Sequence, residues 1–171
     1  MSDAGEELRA RQAPLKERYR EDAAAAVIVL RANASLDAEG IACRVDTGRA
    51  LVEAGLHAAT GGSGLQACSG DMLLEALAAC AGVTLRAVAT SLDIPVRGGR
   101  IEAEGDLDVR GTLGVSKEAP VGFRVIRLRF RLDTDASPEQ LATLLKLTER
   151  YCVVLQTLRT PPLLTVETAT S

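Results

Sequence analysis

Ser69-Gly70-Asp71-Met72-Leu73-Leu74-Glu75-Ala76-Leu77-Ala78-Ala79-Cys80-Ala81-Gly82-Val83-Thr84-Leu85-Arg86-Ala87-Val88-Ala89-Thr90-Ser91-Leu92 is the stretch on which the reading of this chain turns. Ser69 or Asp71 suits the cap of a helix, and an acid in the first turn complements the helix dipole. From Met72 to Leu92 nearly every residue is Leu, Ala, Val, Met or Cys. A helix apolar on most sides must be enclosed on most sides. Glu75 and Arg86 interrupt the run, which argues against a membrane span. A chain of 171 residues has trouble surrounding such a helix alone. A second copy of the chain solves the problem, so the sequence predicts a homodimer built around this helix.

Residues 1–22 are polar and charged, with Pro14 among them, and read as a lead segment; residues 23–171 read as a single domain. Ala23–Arg31, Ile41–Val45 and Arg49–Glu53 are strand candidates, with turn residues over Asn33–Gly40. Gly61-Gly62-Ser63-Gly64 is a loop, since neither a following Lys-Ser/Thr nor a G-x-G-x-x-G frame makes it a phosphate cradle. Beyond the helix, Arg100–Arg110 alternates strictly, with Glu102, Glu104, Asp106 and Asp108 on the wet face. Val121–Leu132 also alternates, and its phase slips at Val125-Ile126, which predicts a β-bulge. Its wet face carries Arg124, Arg127, Arg129 and Arg131, so an antiparallel pair with the acidic strand would be laced by ion pairs. Ser137-Pro138-Glu139-Gln140 is a helix start with cap, proline and capping-box glutamine. Leu141, Leu144, Leu145, Thr148 and Cys152 share one face of that helix, Pro161-Pro162 stops it, and Leu163–Thr168 reads as a last strand. The sum is an α+β domain.

Composition excludes several classes. A net charge of −3 leaves no basic footprint for nucleic acid, and two Phe, two Tyr and no Trp leave little on which bases could stack. One histidine rules out a multi-histidine metal site. The acidic start Met1-Ser2-Asp3-Ala4-Gly5-Glu6-Glu7 lacks the apolar core of a signal peptide, so the expected location is cytoplasmic, with reduced thiols.

Chemistry then rests on Cys43, Cys68, Cys80 and Cys152, none of which forms a C-x-x-C pair. Cys43 alternates with Ile41 and Val45 and reads as core, whereas Cys68 falls in a loop and could serve as an alternative resolving thiol. Cys80 lies mid-helix among small residues, and Cys152 ends the face of a later helix. Such a pair fits a thiol peroxidase, in which one thiolate becomes a sulfenic acid and the other condenses with it. It fits two packed thiols as well. A mid-helix thiol gains little from the dipole and needs a cation nearby, for which Arg49 and Arg44 are candidates; Arg86 faces another way. His57 reads as a surface residue, and Glu75, the odd charge in the helix, as a possible site carboxylate.

The run from Ser69 to Cys80 resembles the central helix motif of the OsmC/Ohr family, whose members start it with Pro-x-Glu-Leu-Leu or Pro-Glu-x-Leu and end it with Ala-Ala-Cys or Gly-Gly-Cys. Gly122-Phe123 and the segment Leu144–Val154 fit as well, the latter resembling the helix that leads into Cys-Pro-Val. The resemblance covers roughly residues 41–168. It implies an intertwined homodimer with a β-sheet wrapped around central helices and sites at the dimer interface, and no bound metal or organic cofactor. It implies reduction of hydroperoxides, often organic, by Cys80 as the attacking and Cys152 as the resolving thiol, with an external dithiol such as lipoamide or a thioredoxin-like protein as reductant. Asp71 matches the family's site carboxylate most nearly, one methylene shorter than its Glu, and Val153 stands where the family has proline. Two other functions stay open: a non-enzymatic dimer of this fold binding a small apolar ligand, and a thiol redox sensor.

Overall fold

The computed structural model describes residues 51–114 and 116–169, the backbone of strands 33–36 and 42–46, and the single helical positions Glu6, Ala10 and Glu21. The expected strand at Ala23–Arg31 and the candidate Arg49 lie outside these residues, as does most of the lead segment.

Strands β1 (Asn33–Leu36), β2 (Ala42–Asp46) and β3 (Leu51–Gly55) form an antiparallel meander, closed by the short strand β4 (Ala67–Cys68) parallel to β3. Asn33–Leu36 was expected to be part of a turn and is a strand. Its residues pair in register with Cys43–Asp46, and a ladder partner overrides weak local preference. His57 caps a single 3-10 turn (Ala58–Thr60) ahead of the glycine loop, its Nδ1 accepting from the Ala59 amide at 3.0 Å. The turn is closed by Gly61 in the left-handed region, φ 90°.

Helix α1 (Ser69–Ser91) follows at once. Neither Ser69 nor Asp71 caps it through a side chain: Cys68 holds the cap position, and Asp71 lies in the first turn, where its charge suits the dipole. By length and hydropathy the helix could cross a bilayer. One stripe, Leu77, Ala81, Leu85 and Ala89, is instead buried against the rest of the chain, at the i, i+4 spacing of a single helix face. The opposite face stays open within one chain, with Val83 73% exposed.

Strands β5 (Gly98–Leu107) and β6 (Phe123–Asp133) make a separate antiparallel hairpin, linked through the short helix α2 (Val109–Thr112). Among the described residues the strands fall into two sheets, and the hairpin lies on α1. A Cβ on Gly82 would stand 3.5 Å from Ile101 Cγ1. The predicted bulge exists one residue earlier than expected: Asp106 pairs with Val125 and Leu107 with Phe123, which leaves Arg124 as the extra residue. Val125 therefore turns outward, and Phe123 turns in. Cross-strand ion pairs form on the wet face as the charge pattern required, Arg127 with Asp106, Arg129 with Glu104 at 2.6 Å and Arg131 with Glu102 at 3.1 Å. Gly99 opens β5 at φ 147°, where a Cβ would stand 2.3 Å from the Arg131 carbonyl, so the approach of the two strands needs glycine.

Helix α3 (Pro138–Tyr151) starts with the predicted box: the Ser137 hydroxyl accepts from the Gln140 amide at 3.3 Å, and Gln140 Oε1 accepts from the Ser137 amide at 2.9 Å. Helix α4 (Val153–Arg159) continues after a one-residue break at Cys152. Leu144 joins Leu85, Ala89 and Ile94 in one core cluster, and Leu77, Ala81 and Cys152 form a second under Ile126, Leu128 and Phe130 of the hairpin. The expected last strand at Leu163–Thr168 is not one. The segment has no ladder partner among the described residues, and Leu163 and Val166 are each 93% exposed. An alternating sequence makes a strand only where an edge is there to receive it.

Candidate active site

Cys80 stands three turns into α1, beside the buried stripe and half-buried. Cys152 is fully buried at the break between α3 and α4. Its backbone is extended (φ −72°, ψ 104°), so the residue ends one helix and caps the next. The Cys152 amide donates to the Thr148 carbonyl, and the Cys152 carbonyl accepts from the Gln156 amide, both at 2.9 Å. Helix α4 is then tied back to α3 by Glu149, whose carbonyl accepts from Gln156 Nε2 at 2.6 Å and whose carboxylate pairs with Arg159 at 2.7 Å. This bracket aims the first amides of α4 at the two sulphurs.

The thiols face each other, and their surroundings push them in opposite directions. Burial would raise Cys80. The Val154 amide, the Cys152 thiol, the Thr84 hydroxyl and the Val153 amide outweigh it and hold Cys80 below the ordinary thiol value. Burial pushes Cys152 up; the Leu155 amide partly offsets this, and the facing Cys80 sulphur adds to the rise. The two thiols therefore differ: Cys80 ionises more readily than an ordinary thiol, and Cys152 less readily.

None of the other candidates with described side chains joins this pair. Asp71 is exposed at the start of α1 and Glu75 is exposed one turn on. Arg86 faces away, as its position on the helix predicts, and donates to the Val96 carbonyl. Arg44 pairs through its backbone with Ser35 and Glu53 in the meander, where Cys43 also lies. Cys68 is half-buried at the cap of α1, and His57 is exposed on its turn. Among the described residues no three His, Cys, Asp or Glu side chains gather as a metal site. The reading of the sequence missed Thr84 and the amides of Val153 and Val154. Thr84 left one signal, its place four residues after Cys80; the amides left none, because they depend on where the helix break falls.

Next to Cys152 a groove of about 410 Å³ runs between β6 and α4. Leu77, Ile126, Leu128, Leu155 and Leu158 line it, the side chains that also pack around the buried thiol. Arg124 and the Glu149–Arg159 pair stand among its walls.

The family model described as OsmC-like protein matches residues 62–167, and the chain belongs to that family. Solved structures agree in fold. The OsmC-like protein of Mycoplasma pneumoniae superposes with a TM-score of 0.65 at 16% identity, over 78% of this chain and 89% of that one. An organic hydroperoxide resistance protein OsmC of Legionella pneumophila gives 0.61 at 18%, over 78% and 91%. The organic hydroperoxide resistance protein OhrB of Bacillus subtilis gives 0.52 at 20%, over 78% and 93%. No curated protein matches the sequence.

Proposed function

We propose that the protein is a cysteine-dependent hydroperoxide reductase. The observation that carries this reading is the contact of Cys80 with Cys152, two thiols with opposite shifts at one helix junction. The Cys80 thiolate attacks the outer peroxide oxygen, the O–O bond breaks, and the alkoxide leaves and takes a proton from solvent. Cys80 is then a sulfenic acid. The Cys152 sulphur attacks it, giving up its own proton; a disulfide forms and water leaves. An external dithiol, such as lipoamide or a thioredoxin-like protein, restores both thiols by exchange. The groove beside Cys152 sets Leu77, Ile126, Leu128, Leu155 and Leu158 beside the polar Arg124, Glu149 and Arg159, and its aliphatic walls would favour organic hydroperoxides over hydrogen peroxide. The names of the Legionella and Bacillus relatives point the same way.

A second copy of the chain belongs to this reading. Val83 is exposed on the open face of α1, Leu73 is exposed near its start, and the segment with Leu163, Leu164 and Val166 is exposed. Apolar surface of that extent favours association, and a homodimer would cover it. A dithiol-driven cycle suits a reducing cytoplasm. The test is steady-state turnover of cumene hydroperoxide and of hydrogen peroxide with dihydrolipoamide as reductant. The reading requires turnover with a preference for cumene hydroperoxide, abolished in Cys80→Ser. A well-folded protein that consumes neither peroxide contradicts it.

A further inference from the structure

The junction of α3 and α4 turns on one carbonyl. An uninterrupted helix would give the Glu149 carbonyl to the Val153 amide, four residues on. That carbonyl accepts instead from Gln156 Nε2, at 2.6 Å and in a half-buried position. The main-chain ladder of α3 ends with the Cys152 amide on the Thr148 carbonyl, and α4 opens with the Gln156 amide on the Cys152 carbonyl, each at 2.9 Å. Gln156 is thus bonded on both sides of the break, through its own amide to Cys152 and through its side chain to the end of α3. Val153 carries an N–H, so its backbone does not forbid α3 from running on, as a proline would. The extended conformation at Cys152, ψ 104°, therefore needs something to hold it. The Glu149–Arg159 ion pair also spans the break, but both partners are exposed and such a pair contributes little.

We infer that Gln156 is a positioning residue for the two thiols: its side-chain amide takes the acceptor that Val153 would otherwise take, and so keeps the chain in two helices at Cys152. Cys152 is fully buried there, in the cluster with Leu77 and Ala81 against which Cys80 packs. Closing the break would bring α4 into line with α3 and carry away Val154, Leu155 and Leu158, which pack on the same cluster. Gln156 acts through the fold of the junction and not on a substrate. As a role in catalysis the inference rests on Cys80 and Cys152 being the reacting pair.

The experiment equilibrates the full chain in glutathione redox buffers, without any peroxide, and reads the Cys80–Cys152 disulfide by peptide mass spectrometry after acid quenching. Oxidised glutathione takes two electrons and two protons from the thiols and leaves as two reduced molecules, so the equilibrium constant reports how well the pair is held together. Gln156→Leu removes the donor. Val153→Pro removes the competing N–H and enforces the break without Gln156. With Val153 in place, Gln156→Leu should lower the constant by about fivefold to tenfold. In the Val153→Pro background the same substitution should change it by less than about twofold. A glutamine that merely stabilised α4 would weaken the constant equally in both backgrounds or in neither, and either result in folded proteins overturns the inference. Circular dichroism shows whether the fold is kept, and Gln156→Met removes the same donor where Gln156→Leu does not fold. Donor-less variants that fold only together with Val153→Pro support the inference, and variants that fold in neither background overturn it. It is also overturned if Val153→Pro alone does not fold, since the break would then need the Val153 N–H, or if wild type forms no Cys80–Cys152 disulfide. A Gln156-dependent constant in a protein that reduces no peroxide keeps this inference and discards the proposed function; a working reductase with a Gln156-independent constant does the reverse.

Discussion

Cys152 meets Cys80 because α3 and α4 are separate helices: the extended backbone at Cys152 breaks what would otherwise be one continuous rod. A continued helix would place the amides of Val153 and Val154 in internal hydrogen bonds. The break leaves them as first-turn donors, which have no partner within their own helix. In the proposed cycle the contact would thus supply both the resolving thiol and part of the electrostatics around the attacking one.

Alkylation should follow the order of the two shifts. Cys80, held below the ordinary thiol value, is anionic at a lower pH than Cys152 and reacts first as pH rises. In Cys80→Ser the facing sulphur that helps to raise Cys152 is gone, so alkylation of Cys152 in the denaturant-free protein should begin at a lower pH than in wild type. Peptide-resolved alkylation across neutral to alkaline pH checks both statements. Simultaneous reaction of the two thiols would refute them.

Val153 offers a direct test of the amide donors. Proline has no N–H, and it is favoured at the first position of a helix. The ψ of 104° at Cys152 is close to the extended range a residue before proline prefers. Val153→Pro should therefore keep α4 and raise the Cys80 midpoint by about half a unit, the loss of one modest hydrogen bond. An unmoved midpoint with an unchanged circular dichroism spectrum would show that this amide contributes nothing.

The ion pairs of the hairpin predict the acid limb of stability. Asp106 is held below the usual carboxylate range by Arg127, Asp135 by Arg97, and Asp108 is held at about 2 by Arg110. A depressed carboxylate stabilises the fold above its unfolded pKa, and that contribution is lost as pH falls through the folded one. Thermal melts should therefore be level above about pH 5 and fall below about pH 4. Asp106 and Asp135 are exposed and Asp108 is partly buried, so salt should screen most of the effect and reduce the pH dependence of the melt. A melting temperature that rises on acidification would contradict the assignment.

Val83 tests the second copy. It is 73% exposed on the open face of α1, so Val83→Glu costs a single chain little. Across a dimer interface a buried carboxylate is expensive. Size-exclusion chromatography with light scattering should find a dimer for wild type and a monomer or a concentration-dependent mixture for the variant. A wild-type monomer would remove the dimer from the account.

Much of this fold was legible because its signals are local. The capping box at Ser137 and Gln140, the alternation of β5 and the phase slip in β6 each need only neighbouring residues. The complementary charges at Glu102, Glu104 and Asp106 against Arg127, Arg129 and Arg131 even predicted the pairing. What failed depends on partners distant in sequence. Asn33–Leu36 became a strand because β2 lies beside it, and Leu163–Thr168 did not because no edge among the described residues receives it. Cys80 and Cys152 were legible as candidates, and only the folded chain brings the sulphurs together. Asp71, chosen for its position in the motif, is exposed and away from the thiols. Thr84 was passed over because a threonine inside an apolar helix reads as packing until its hydroxyl is located.

The most direct test of the account is mass spectrometry of the intact protein and its peptides after one equivalent of cumene hydroperoxide, on wild type and on Cys152→Ser. The account predicts a Cys80–Cys152 disulfide in wild type and a sulfenic acid at Cys80 in the variant, trapped by dimedone. Unmodified Cys80 in both proteins, with the fold intact, would contradict it and leave two packed thiols.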